Sequence, residues 1–136
     1  MPHPLIEYMN EEQRACVATW SRWPTRRLFV VRHKDGAIVG AAFVNDNTKA
    51  LNACNIDLIF VRPDARRKGF GSRLMRHIVA MPCKHVYACP DPCSEDSKPF
   101  LSAHQFSLAS AKNIVPPDWT FPGVECLWGR KTSARA

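Results

Sequence analysis

The stretch Ile56-Asp57-Leu58-Ile59-Phe60-Val61, continued by Arg62-Pro63-Asp64-Ala65 and then by Arg66-Arg67-Lys68-Gly69-Phe70-Gly71-Ser72, reads as a strand, a basic glycine turn and the start of a helix. That order makes a site for a phosphorylated ligand. Glycines let a backbone approach closely, and the first amides of a helix lack an intrahelical acceptor. Anions bind there without needing a side-chain ligand.

Working outward, the pattern predicts a helix over residues 71–80, with Leu74, Ile78 and Met81 inward and Arg73, Arg76 and His77 outward, stopped by Pro82. A short strand over 86–89 follows. Strand, helix and strand then form a crossover with parallel strands. Upstream, residues 28–31 and 37–44 are β-branched and aromatic and flank Lys34-Asp35-Gly36, whose Asp-Gly pair signals a hairpin. Asn45-Asp46-Asn47 is expected to turn the chain. The third strand, 52–61, has a continuous apolar end, which predicts burial on both faces.

Residues 10–20 read as a helix capped by Asn10, with Glu11 and Glu12 in its first turn and with Cys16, Trp20 and Trp23 on one stripe. A later helix is expected over 97–110, a last strand over 124–128, and a further strand around Trp119, Thr120 and Phe121. The sum is an α+β fold, a mixed but mostly antiparallel sheet with helices packed on both faces.

At 136 residues the chain has the size of one domain, 1–136, and 46% hydrophobic residues is a globular composition. No apolar run reaches the roughly 18 residues of a membrane span, and the N-terminus does not open as a signal peptide. A cytoplasmic protein without a membrane partner is expected. The formal charge of +7 attracts phosphorylated partners, and Arg62, Arg66, Arg67, Lys68, Arg73 and Arg76 crowd one motif. The six cysteines are spread through predicted core segments, where reduced buried thiols are the plain reading. Cys83, His85, Cys89 and Cys93 cluster locally, but without the paired spacings of a structural zinc site, so no metal is assigned.

A nucleotide-triphosphate loop needs a Gly-Lys-Ser or Gly-Lys-Thr ending, which is absent, and a dinucleotide fingerprint needs a small residue where Leu74 stands. Arg66-x-x-Gly69-x-Gly71 after Val61-Arg62-Pro63 instead resembles the acetyl-CoA signature of the GNAT superfamily of N-acetyltransferases. The hairpin with Ile38-Val39-Gly40 and the pair Phe100 and Phe106 are similar to features of that family. The resemblance covers residues 28–106. It implies that the amides of Arg67, Lys68, Gly69, Phe70, Gly71 and Ser72 cradle the cofactor diphosphate after Arg66 opens the motif. Arg67 and Lys68 would add charge, and Ser94 falls where the family often places an Asn. The backbone of Ile59, Phe60 and Val61 would hydrogen-bond the pantetheine arm as an added strand.

The reaction implied is attack of an amine on the acetyl thioester of acetyl-CoA, which needs a base, since an alkylamine has a pKa of about 10.4. Asp57 is the candidate, sharing a strand face with Asn55, Ile59 and Val61; an acid in an apolar strand is expensive unless used or paired, the alternative being pairing with an arginine. An oxyanion donor is expected near Val61. The family's acidic Tyr is Leu101 here and its Gly before the second aromatic is Gln105, leaving Tyr87, Ser102 or His104 to protonate the thiolate. A small-molecule or peptide amine is the expected acceptor. The competing readings are a non-catalytic acyl-CoA-binding module and, behind it, a nucleic-acid binder using Trp20, Trp23 or Trp119 for stacking. A homodimer is left open.

Overall fold

In the computed structural model, which describes residues 4–47, 53–83, 85–88, 100, 103–104 and 128–131, helix α1 (Glu11–Trp20) starts at Asn10 as the sequence predicts. The cap is reciprocal. Asn10 Oδ1 accepts the Gln13 amide at 2.8 Å, and Gln13 Oε1 accepts the Asn10 amide at 2.9 Å. The inward stripe is narrower than expected: Val17 and Trp20 are buried, whereas Cys16 is exposed and Trp23 is 53% exposed. The reason is geometric. The helix ends at Trp20, so residue 23 no longer follows the helical period, and Cys16 lies about 100° around the axis from Val17.

Strands β1 (Arg26–Arg32) and β2 (Ile38–Asn47) form the predicted antiparallel hairpin, with Leu28 opposite Phe43 and Val30 opposite Ala41. Gly36 closes the turn at φ +90°. The Asp35 carboxylate accepts the Ala37 amide at 2.9 Å, which holds its pKa below the usual carboxylate range. One expectation fails here. The chain does not turn at Asn45: β2 runs on to Asn47, and Asn45 pairs with Arg26. Its side chain finds partners inside the fold, so it has no need of a solvated turn.

Strand β3 (Ala53–Val61) is tied to β2 at its end by the Arg62 amide, which donates to the Val39 carbonyl at 2.7 Å. Gly40 lies where strands crowd. A Cβ there would come within 2.9 Å of Val31 Cγ2 and 3.3 Å of the Phe60 oxygen. Burial along β3 alternates instead of covering both faces. Cys54, Ile56 and Phe60 are buried, while Asn55, Asp57, Ile59 and Val61 are only half-buried. Leu58 is half-buried but packs on the core.

Helix α2 (Phe70–Val79) buries Leu74, Met75, Ile78 and Val79 and exposes Arg73, Arg76 and His77, close to the predicted division. Strand β4 (His85–Ala88) pairs antiparallel with β5 (Trp128–Lys131), His85 opposite Lys131 and Ala88 opposite Trp128. Of the strand expected over 124–128, Trp128 lies on β5. Of the helix expected over 97–110, residues 100, 103 and 104 are described, with the His104 amide donating to the Phe100 carbonyl at 3.2 Å. The expected strand at 119–121 and residues 124–127 lie outside the described residues. The described strands form one sheet in the order β1-β2-β3-β4-β5, a mixed sheet in an α+β fold.

The chain divides into two compact units, Met1–Asn45 with Ile56–His77 and Asp46–Asn55 with Ile78–Ala136. The first is built on Leu5, Met9, Val17, Trp20, Ala41, Phe43 and Phe60. Leu5 and Met9 flank a 3-10 turn, Ile6–Tyr8. The rings of Trp20 and Phe43 meet edge-on with centroids 5.0 Å apart. In the second unit Cys54, Ile78, Val79, Met81, Cys83, Val86 and Ala88 are buried. Among the described residues no helix is long and apolar enough to cross a membrane.

Trp20 also donates its indole N–H to the Val44 carbonyl at 2.9 Å. Trp20→Phe keeps the aromatic contact and deletes the donor, so urea unfolding should show a loss of about 1–3 kcal/mol.

Candidate functional site

The glycine turn leaves β3 through a second 3-10 turn, Pro63–Ala65, in which proline takes a first-turn position. Arg67 then adopts φ 64° and Gly69 φ 83°. These two left-handed residues fold the backbone back before α2 begins at Phe70. The first helical bond is from the Arg73 amide to the Gly69 carbonyl at 3.0 Å. The amides of Phe70 and Gly71 therefore precede the ladder, at the positive end of the helix. A Cβ on Gly69 would meet nothing within 4 Å. Glycine is required there by its backbone angle, not by crowding from this chain.

The basic residues of the turn divide into two groups. Arg62 forks onto Asp64, Nε to Oδ1 at 2.6 Å and Nη2 to Oδ2 at 2.8 Å, and lies over the Tyr8 ring at 5.6 Å. That hydrogen-bonded pairing draws the Asp64 pKa down and the Arg62 pKa up. Arg66 donates from Nε to the Val61 carbonyl at 3.0 Å and lies over the Phe60 ring at 5.6 Å. Both arginines brace the loop. Arg67 and Lys68 are exposed and have no hydrogen bond or ion pair among the described residues. They are the cations free to meet a phosphate.

Upstream on the same strand, Asp57 accepts a hydrogen bond at Oδ2 from Asn45 Nδ2 at 2.7 Å. Asn45, the one buried polar side chain among the described residues, accepts in turn from the Thr25 hydroxyl at 2.9 Å. The ionised Asp57 carboxylate can only accept and so takes the Asn45 NH₂, which leaves the amide oxygen for the Thr25 hydroxyl to donate to. Burial pushes the Asp57 carboxyl up to about 6, the Asn45 hydrogen bond opposing the rise. A neutral amide is thus one partner of this carboxyl. A carboxylate of that pKa can accept a proton near neutrality.

The family model for the acetyltransferase (GNAT) family matches residues 2–104. The chain belongs to the GNAT acetyltransferase family. Its fold is similar to that of Tetrahymena GCN5, with a TM-score of 0.71 at 10% identity over 94% of this chain and 81% of that one. A GNAT-family acetyltransferase of Staphylococcus aureus gives 0.65 at 13% identity over 93% and 84%. The ribosomal-protein-S18-alanine N-acetyltransferase of Escherichia coli gives 0.61 at 13% identity over 94% and 80%. No functionally curated protein matches. GNAT proteins typically use acyl-CoA, and a left-handed turn with two unengaged cations at a helix start suits its diphosphate.

Within this GNAT chain, Arg66, Arg67, Lys68, Gly69, Phe70, Gly71 and Ser72 lie on the turn and first helical residues as predicted, but they differ in kind. The Arg66 side chain is spent on the Val61 carbonyl. Of the Ile59–Val61 backbone expected to hydrogen-bond the pantetheine arm, the Val61 carbonyl already accepts from Arg66. The Phe60 side chain is 2% exposed and belongs to the core, so only its main chain can face a ligand. Asn55 lies on the first half of β3 and Tyr87 on β4, both in the second unit. Ser94, Leu101, Ser102, Gln105 and Phe106, with Cys89 and Cys93, lie outside the described residues. Asn45, Thr25 and Tyr8 were missed. An acid within an apolar strand calls for a donor on the neighbouring strand, and Asn45 is the first polar residue after the apolar run of β2.

Because the folded pKa of Asp57 exceeds its ordinary 3.8, the folded state binds the extra proton between those values, and stability falls as pH rises from about 4 to about 6. The full difference is worth about 3 kcal/mol, which solvent screening of a half-exposed carboxyl reduces to roughly 1–2 kcal/mol. Asp57→Asn should flatten this slope and raise stability at pH 7 by that amount, read from urea unfolding across the pH range. For the turn, Gly69→Val forces a branched side chain to φ 83° and should cost about 1–3 kcal/mol; thermal unfolding checks it.

Proposed function

We propose that the chain transfers an acetyl group from acetyl-CoA to the amine of a small molecule or peptide, with Asp57 as general base. The observation that carries this reading is the half-buried Asp57, raised to about 6 on the strand that leads directly into the glycine turn. In the reaction the amine nitrogen bonds to the thioester carbon, and its proton passes to Asp57, directly or through water. The C–S bond then breaks, and coenzyme A leaves as a thiolate. A free thiol has a pKa of about 8.5, so the leaving group needs little protonation, and Tyr87 or His104 would be a modest aid. Arg67 and Lys68 would pair with cofactor phosphates, while amides of the turn through Ser72 cradle the diphosphate. A main-chain amide near Val61 would steady the oxyanion. The net charge of +7 favours small or neutral acceptors over polycations.

Two measurements test this. Acetyl-CoA at a hundred times its dissociation constant should stabilise the protein against heat by about 2.7 kcal/mol, a shift that NAD and ATP fail to give. With a panel of alkylamines and peptides, coenzyme A release should show an acid limb near pH 6 in kcat/KM. Asp57→Asn should remove the limb and lower the rate by roughly 10²–10⁴-fold, leaving the acetyl-CoA shift intact. A limb that survives the substitution would take Asp57 out of the mechanism. Stabilisation without turnover would leave the chain an acyl-CoA-binding module.

A further inference from the structure

Two thiols in the second unit meet inside the protein. Cys54, the second residue of β3, and Cys83, two residues before β4, have their sulfurs 2.6 Å apart and are 0% and 1% exposed. The Asp46 carboxylate lies 3.8 Å from the Cys54 sulfur and can take its S–H, turning a sulfur lone pair toward Cys83. A disulfide needs its sulfurs at about 2.05 Å. A small side-chain movement therefore separates this pair from a bond.

We propose that Cys54 and Cys83 are a site of reversible oxidation to a disulfide, with a small peroxide as oxidant. One thiol reacts with hydrogen peroxide to give a sulfenic acid and water. The second sulfur attacks the first, the S–S bond forms, and a second water leaves. Two thiols and one peroxide thus yield one disulfide and two waters, with two electrons passing to the peroxide. Burial excludes bulky oxidants and favours one the size of water that enters by local opening. The bond closes a loop that holds the rest of β3, the glycine turn and α2. This inference stands independently of the acyl-transfer reading.

The test uses the full chain, treated with hydrogen peroxide or with dithiothreitol, alkylated under denaturing conditions and digested unreduced. The expected result is a cross-linked peptide joining Cys54 to Cys83 in the oxidised sample alone. The oxidised protein should also melt roughly 10 °C higher, the size expected for a loop of about 30 residues. Cys83→Ser should lose both signals; the wild-type peptide map decides alone if that variant does not fold. Recovery of both cysteines as alkylated thiols after peroxide, or of either one bonded to a different cysteine, overturns the proposal. Exposed Cys16 reports that the oxidant and alkylating agent were active.

Discussion

The side-chain amide of Asn45 has one job at each end. Its nitrogen is claimed by Asp57, which when ionised can only accept, and its oxygen takes the Thr25 hydroxyl, so a carboxyl that would otherwise be expelled to water is kept among strands. Two opposed effects then act on that carboxyl. Withdrawal of water favours the neutral form, and the donated hydrogen bond favours the charged one. Withdrawal wins, and the group is left poised near neutrality instead of at an acid's ordinary value. The proposed chemistry depends on this balance, which a full positive charge in place of Asn45 would upset by pulling the pKa back down.

Around the turn, the same residue type serves two purposes. Arg62 and Arg66 are consumed by Asp64, Tyr8, the Val61 carbonyl and the Phe60 ring. They act as struts. Arg67 sits in a left-handed conformation that a long side chain ordinarily avoids, and that geometry is retained with its guanidinium exposed. Strutted neighbours hold the loop while the two unengaged cations remain available.

How much of this was legible follows from the range of each interaction. The hairpin, the cap of α1, the glycine turn and α2 were readable because each is decided by residues within a few positions of one another. Asn10 with Gln13 and Asp35 with Gly36 are local events. Asn45 reads locally as a turn residue because its reason for staying in the strand is Asp57, twelve residues away. The half-open face of β3 was misread as buried, since an apolar run cannot say what covers it. Trp23 falls on the helix stripe only if the period continues past Trp20, where the helix ends. Asp57 stands out in the sequence as an acid in an apolar strand, while its partner Asn45 does not.

The hairpin has one consequence for life in a crowded solution. Among the described residues strand β1 stands at the end of the strand order, and Leu28 and Val30 on it are 43% and 38% exposed. Such an edge invites another chain to add on. Arg26, Arg27 and Arg32 lie along the same seven residues. A second copy arriving there would set arginine against arginine, so like-charge repulsion guards a sticky border that side-chain burial leaves uncovered.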